Sequence, residues 1–193
     1  MTDFIPTLIS AALINNLVLQ LPLSVDPVLK TARETDRLQV HALGIATAWF
    51  MLVSSVLSYL LYHFLLLPLE LGYLRLFVFL PVSVLAIKPC LLLLGRALPR
   101  LPLEGLWPLL LSNAGVLGVM LLSTRPDNGI ISMLAQSLGA GLGFWLALSL
   151  FHDLRQRIQL QDVPLPFRGL PIELIGAGLM GLAFLGLGGL VRT

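Results

Sequence analysis

Leu13-Ile14-Asn15-Asn16-Leu17-Val18-Leu19-Gln20-Leu21-Pro22-Leu23-Ser24-Val25-Asp26-Pro27 is the stretch whose reading decides the rest of the chain. It opens as an apolar helix, then carries an asparagine pair, two prolines and a carboxylate inside a run that hydropathy assigns to a membrane. Lipid offers no water to amides or to interrupted backbone, so such a span must be buried in protein or line a cavity. Interrupted spans are also where membrane proteins place binding sites. Pro22 removes one helical hydrogen bond, and Pro27 disfavours helix at Asp26. Asp26 then has two readings. It is an interfacial turn residue if the span ends there. If the helix breaks near Pro22 it lies deeper, where a carboxylate costs roughly 2.5–3.5 kcal/mol to insert and is functional by default.

Composition supports the membrane assignment. The 193 residues are 57% hydrophobic and 11% charged, with a mean hydropathy of +0.93. A soluble domain carries roughly a quarter charged residues. The length accommodates about six helical spans of about 20 residues, with short connections and a single transmembrane domain, residues 1–193. A net charge of +2 is too small to suggest nucleic acid. The single cysteine, Cys90, excludes an internal disulfide and a multi-cysteine metal site built by this chain alone. The N-terminus lacks a basic region and a small-residue cleavage site, so the first span is expected to be retained.

Apolar runs place the spans near Phe4–Val25, Leu38–Leu67, Tyr73–Leu94, Leu106–Ser123, Gly129–Phe151 and Leu170–Val191. Lys30, Arg33 and Arg37, then Arg96 and Arg100, then Arg155, Arg157 and Arg168 fall on one side; Arg75, Arg125 and Arg192 fall on the other. The positive-inside rule makes the first side cytoplasmic and leaves both termini periplasmic in a Gram-negative cell. Glycines and alanines cluster at Gly139–Gly143 and Gly176–Gly178, with Gly181 and Gly186, which predicts close helix packing in the last two spans.

The halves, approximately 1–100 and 101–193, echo one another. Asn15-Asn16-Leu17-Val18-Leu19 in the first span is matched by Ser112-Asn113-Ala114-Gly115-Val116-Leu117-Gly118 in the fourth. Three spans separate the motifs, so equivalent segments enter from opposite sides. The expected fold is all-α and integral to the membrane: six transmembrane helices in two inverted three-helix repeats, with the first and fourth helices broken.

The candidate polar site is Asn15, Asn16, Asp26, Lys88 and Asn113. The amides serve either helix–helix hydrogen bonding, worth roughly 0.6 kcal/mol per contact, or the shaping of a cofactor or ion site. Lys88, before Pro89 and Cys90, is read as snorkelling to the surface in preference to acting as a counter-ion for Asp26. His41, His63 and His152 lie near span ends without metal-ligand spacing. There is no nucleophile–His–acid arrangement, no paired acids in one span and no phosphate loop, so the sequence points away from an enzyme active by itself.

The second half carries a resemblance. Phe151-His152-Asp153-Leu154-Arg155-Gln156-Arg157-Ile158, Asp162-Val163-Pro164-Leu165-Pro166-Phe167-Arg168-Gly169-Leu170-Pro171-Ile172 and Ala177-Gly178-Leu179-Met180 resemble the A subunit of the Rnf electron-transport complex. Asn15-Asn16, Gly44-Ile45-Ala46-Thr47, Tyr73-Leu74-Arg75 and Asn113 with Val116-Leu117-Gly118 follow in family order. The related sodium-pumping quinone reductase has a similar membrane component, but the Asp162–Phe167 motif favours Rnf. The resemblance implies an inner-membrane complex that passes electrons between ferredoxin and NAD and couples them to ion transport. It also implies partners: flavin-bearing subunits, and the homologous E subunit, which shares a [2Fe–2S] cluster with its A counterpart.

At both cluster-cysteine positions this chain departs. The first is Asp26, before Pro27; the second is Ala114, after Asn113. Thiolates hold such clusters, and alanine offers no ligand. The resemblance therefore implies a scaffold without its half of the cluster, and no cofactor is expected on this chain. A different class of function stays open beside it: a cluster-free structural paralogue, or a small ion or solute carrier with Asp26 as its binding residue.

Overall fold

The computed structural model describes residues 4–16, 37–125, 128–159 and 163–190, and these form helices and connections without a strand. Asp26, with the rest of the opening stretch after Asn16, lies outside the described residues.

Helix α1 (Phe4–Ile14) is α-helical to Ile9 and ends in a widened π-helical turn, Ser10–Ile14. The Asn15 amide closes that turn on the Ser10 carbonyl at 2.6 Å, and its side-chain Nδ2 donates to Ser10 Oγ at 3.0 Å. Widened turns of this type often mark functional sites in helices. Helix α2 (Arg37–Leu61) also finishes in a widened turn, Tyr62–Leu66. A short connection then leads through Gly72–Leu74 into α3 (Arg75–Ala97). Pro81 and Pro89 both lie inside α3 without ending it; neighbouring helices and Ser/Thr side chains make intramembrane proline tolerable.

The fourth apolar run is divided. Helix α4 (Leu106–Leu111) follows Gly105, whose φ of +79° favours glycine, and α5 (Ala114–Ser123) begins after Asn113 has left helical geometry at φ −82°, ψ 90°. Helix α6 (Ile130–Gln159) and α7 (Leu170–Leu190) complete the chain. Hydropathy alone ends the fifth run at Phe151, but α6 continues to Gln159. Its last turns carry Asp153, Arg155 and Arg157, which extend the helix beyond the apolar segment; ion pairs of Asp153 and Arg155 anchor it there.

Three helices are long and apolar enough to cross a membrane: Arg37–Leu66, Gly72–Ala97 and Ile130–Ile158. At 30 residues, Arg37–Leu66 is about 45 Å long, against roughly 30 Å of hydrocarbon. Phe4–Ile14, Ala114–Ser123 and Leu170–Gly186 are shorter apolar helices.

Helices α2 and α6 form the centre of the bundle. Arg37 meets Asp153, His41 meets Trp145, and Ala48 meets Gly141, so the two run antiparallel. Helix α1 lies on α6 in the parallel sense: Gly139 faces Leu8 and Ala11, and Gly143 faces Ala12 and Asn16. Helix α1 therefore starts at the end of the bundle where α6 starts. Arg37, Asp153 and Arg155 gather at the other, basic end. Phe50, Phe79, Phe144, Phe151, Met51 and Met120 fill the core.

The two small-residue clusters behave differently. In α6, a Cβ on Gly139, Gly141 or Gly143 would collide with backbone atoms of α1 or α2, so these glycines permit contact that no other residue allows. In α7, Gly176 rests against Leu154 and Ile158, but Gly178 and Gly186 face open space. The expectation of close packing from these α7 glycines is corrected. Helix α7 is peripheral, and much of its surface, including Leu174, Ile175, Leu179, Leu182 and Leu185, is exposed.

Candidate functional site

The end of α1 and the break between α4 and α5 each place one asparagine in the protein interior. Asn16 is 1% exposed. Its Nδ2 donates to the Ala12 carbonyl one turn back and to the Gly143 carbonyl of α6, both at 2.9 Å. The π turn of α1 supplies the local reason, because it swings the chain round so that Asn16 points at α6 rather than along the helix. The missing side chain at Gly143 supplies the other, by letting the α6 backbone come within reach. Asn15, the next residue back, is exposed and bonds within α1. The pair is thus split between an interior and a peripheral role.

Asn113, buried at the second interruption, is the N-cap of α5: its Oδ1 accepts the Gly115 N–H at 3.0 Å. Capping of this kind satisfies a helix-terminal donor that lipid could not. The interruption opens on a cavity of about 250 Å³ between α2, α3, α4 and α5, whose walls include Phe50, Ser83, Ile87, Ser112, Asn113 and Ala114. The cavity wall is mainly apolar, and the hydroxyls of Ser83 and Ser112 are turned back onto carbonyls of their own helices.

The other candidate residues do not converge on one point. Lys88 is exposed on α3, pointing away from the core, and is not part of the cavity wall. Asp26 lies outside the described residues. Cys90 is buried among the apolar side chains of the core and is not part of the cavity wall either.

A [2Fe–2S] cluster, which the family resemblance implies, does not fit the donors present. Ala114 is the first residue of α5 and presents only a methyl group, while the neighbouring Asn113 Oδ1 is committed to the helix cap. Holding iron at this position would require a thiolate or, exceptionally, an imidazole donor. Among the described residues, no three His, Cys, Asp or Glu side chains form a group that could hold a metal ion.

Sequence reasoning missed a polar cluster at the basic end. Arg155 Nε lies 2.9 Å from Glu173 Oε1, with side chains 15% and 7% exposed, and this pair ties α6 to α7. Arg37 and Asp153 form a second pair, at 2.8 Å, on the surface. His152, near the end of the fifth apolar run, is buried against the protein: its Nε2 is 3.0 Å from Gln156 Nε2 and its Nδ1 has no hydrogen-bond partner among the described residues. The usable signal was Glu173 itself. A carboxylate in the first turn of an otherwise uncharged span needs a cation, and the adjoining connection is arginine-rich. His41 accepts the indole N–H of Trp145 at 3.0 Å, and His63 stacks on Tyr59.

Comparison with known proteins gives full-length matches. The sequence pattern of a family described as "Rnf-Nqr subunit, membrane protein" fits residues 4–191. The chain is 39% identical to a protein of Histophilus somni (strain 129Pt) and 40% identical to proteins of Thioalkalivibrio sulfidiphilus and Alcanivorax borkumensis. In each case the match covers all of both chains, and each relative is named as the A subunit of an ion-translocating oxidoreductase complex.

Proposed function

The chain belongs to the Rnf-Nqr family of membrane subunits, and on that premise we propose that it is a component of an Rnf-type ion-translocating oxidoreductase complex that does not itself ligate the intramembrane [2Fe–2S] cluster. The observation that carries the second half of this reading is Ala114. It stands directly after the buried cap Asn113, on the wall of the cavity at the helix interruption, where the family resemblance expects a cysteine. The helix break, the asparagine cap and the cavity are present in this chain; a donor atom at Ala114 is not.

In this reading the complex couples electron transfer between ferredoxin and NAD to ion transport across a bacterial inner membrane. The chain contributes a scaffold of two inverted three-helix repeats within a single transmembrane domain. Its basic end faces the cytoplasm and both termini face the periplasm. Its partners are the homologous E subunit, with the flavin-bearing subunits beside it. Asn16 and Asn113 hold the end of α1 and the start of α5 in place, and Asp26 stands in the sequence where the family resemblance expects the other cysteine. Lys88 is a surface cation of α3 and takes no part in the site.

Purification of the intact assembly in mild detergent tests both halves. Co-purification of the E subunit with the flavin subunits, together with reduced-state electron paramagnetic resonance lacking a [2Fe–2S] signal from the membrane interface, is the expected result. A full-strength signal from that interface would overturn the cluster-free reading. Isolation as a lone chain would overturn the assignment to the complex and favour the carrier reading, for which ion flux into vesicles, lost in Asp26→Asn, is the corresponding measurement.

A further inference from the structure

Between α6 and α7, next to the Arg155–Glu173 pair, lies an open apolar groove of about 550 Å³, walled by Leu150, Leu154, Ile158, Ile175, Leu179 and Met180. Its volume lies within the range of small-molecule sites, roughly 300–1,000 Å³. Gly176 forms part of the wall, where its lack of a side chain lets α7 rest against Leu154 and Ile158 at the floor of the groove.

Among the described residues, two exposed arginines flank the segments that wall the groove. Arg157 lies on the same α6 stripe as Leu150 and Leu154, seven and three residues back, and is exposed. Arg168 is exposed just before α7, one turn ahead of Ile172; its Nε donates to the Val163 carbonyl at 2.7 Å, which steadies the guanidinium at the surface. The described carboxylates nearby are already matched, Glu173 by Arg155 at 2.9 Å and Asp153 by Arg37 at 2.8 Å. Beside Arg168, Leu165 and Phe167 are 78% and 49% exposed on a single short turn. Exposed apolar side chains adjoining a fixed arginine suit a membrane–water interface, where the first enter the acyl region and the second meets phosphate.

We propose that the α6–α7 groove is a binding site for an anionic phospholipid, with an acyl chain lying along Leu154, Ile158 and Leu179 and the phosphate held by Arg157 and Arg168. An anionic lipid is singled out because a zwitterionic headgroup brings its own cation to a mouth already occupied by two. A bound lipid would also cover the exposed face of α7, which the rest of the bundle leaves bare.

The test uses the intact assembly, reconstituted with phosphatidylglycerol or phosphatidylcholine carrying the same photoreactive acyl chain. Labelled peptides are then mapped by mass spectrometry. Phosphatidylglycerol should label the Leu150–Ile158 and Ile172–Met180 peptides several-fold more than phosphatidylcholine does. Arg157→Gln and Arg168→Gln should each reduce that preference roughly five-fold, the worth of one basic residue near an anionic surface. Gly176→Leu should reduce labelling by both lipids, and since Arg157→Gln changes only an exposed side chain, it keeps the test independent of folding. Equal labelling by the two lipids would overturn the proposal, as would a preference unchanged in the double arginine variant. So would a photoreactive residue placed at Leu179 that cross-links to another subunit rather than to lipid.

Discussion

Gly143→Ala should loosen α1 from α6. An added Cβ would lie 2.6 Å from the Ala12 carbonyl oxygen, 2.8 Å from Asn16 Nδ2 and 3.1 Å from Ala12 Cα. Two of those atoms are backbone, so no side-chain rotation relieves the clash, and α1 must move as a unit. Overpacking of this kind costs about 1–3 kcal/mol. The displacement also stretches the 2.9 Å hydrogen bond from Asn16 to the Gly143 carbonyl, a contact worth roughly 0.6 kcal/mol within a membrane. A total of about 2 kcal/mol corresponds to a fall of about 4–8 °C in Tm for a chain of this size. Gly139→Ala meets the Leu8 carbonyl at 2.5 Å and Ala11 Cβ at 2.7 Å and should behave alike. Because both substitutions push the same helix, the double variant should lose less than the sum. Gly178→Ala is the control: nothing lies within 4 Å of the added atom, so its Tm should stay close to that of the unaltered protein. The assay is thermal unfolding of the detergent-solubilised assembly, followed by thiol labelling with mass-spectrometric readout of the peptide holding Cys90 as that buried thiol becomes exposed. Unaltered stability in Gly143→Ala, or a larger loss in Gly178→Ala, would refute the packing described for α1 and α6.

The hydrogen bonds from Asn16 to the Ala12 and Gly143 carbonyls both use its amide as donor, so Asn16→Asp should destabilise more than Asn16→Ala: it turns the donor into a carboxylate facing two carbonyls. Comparing the Tm of the two variants decides this, and equal losses would speak against the hydrogen bonding assigned to Asn16. For Arg155 and Glu173, removing one partner of a buried pair costs roughly 3–5 kcal/mol, whereas replacing both by apolar residues costs less. A double-mutant cycle with Arg155→Met and Glu173→Leu should therefore show the double variant more stable than either single one. Ala114→Cys combined with Asp26→Cys should raise the iron content of the purified assembly, while Ala114→Cys alone should not; iron analysis of the two variants is the measurement, and equal iron in both would count against Asp26 as the missing ligand position.

The membrane class was legible from composition, because a chain with 11% charged residues cannot present a soluble surface. The location of the second break was legible too. Asn113 is a strong helix N-cap, and an amide in an apolar run demands an internal partner, which the Gly115 amide provides. The absence of a thiol at Ala114 is likewise a property of the sequence, and packing cannot supply one.

Other features belong to the tertiary structure. Asn15 and Asn16 are chemically identical neighbours, and only the π turn and the approach of Gly143 bury one and expose the other. The glycines of α6 and α7 read alike along the chain, yet those at 139, 141 and 143 face two helices, while those at 178 and 186 face none. His152 is buried and Lys88 exposed because burial depends on which face of a helix meets a neighbour. Hydropathy along a uniformly apolar helix carries no record of that face. In a membrane both faces are apolar, so the periodicity that orients a helix in water is missing, and contact geometry alone decides the orientation.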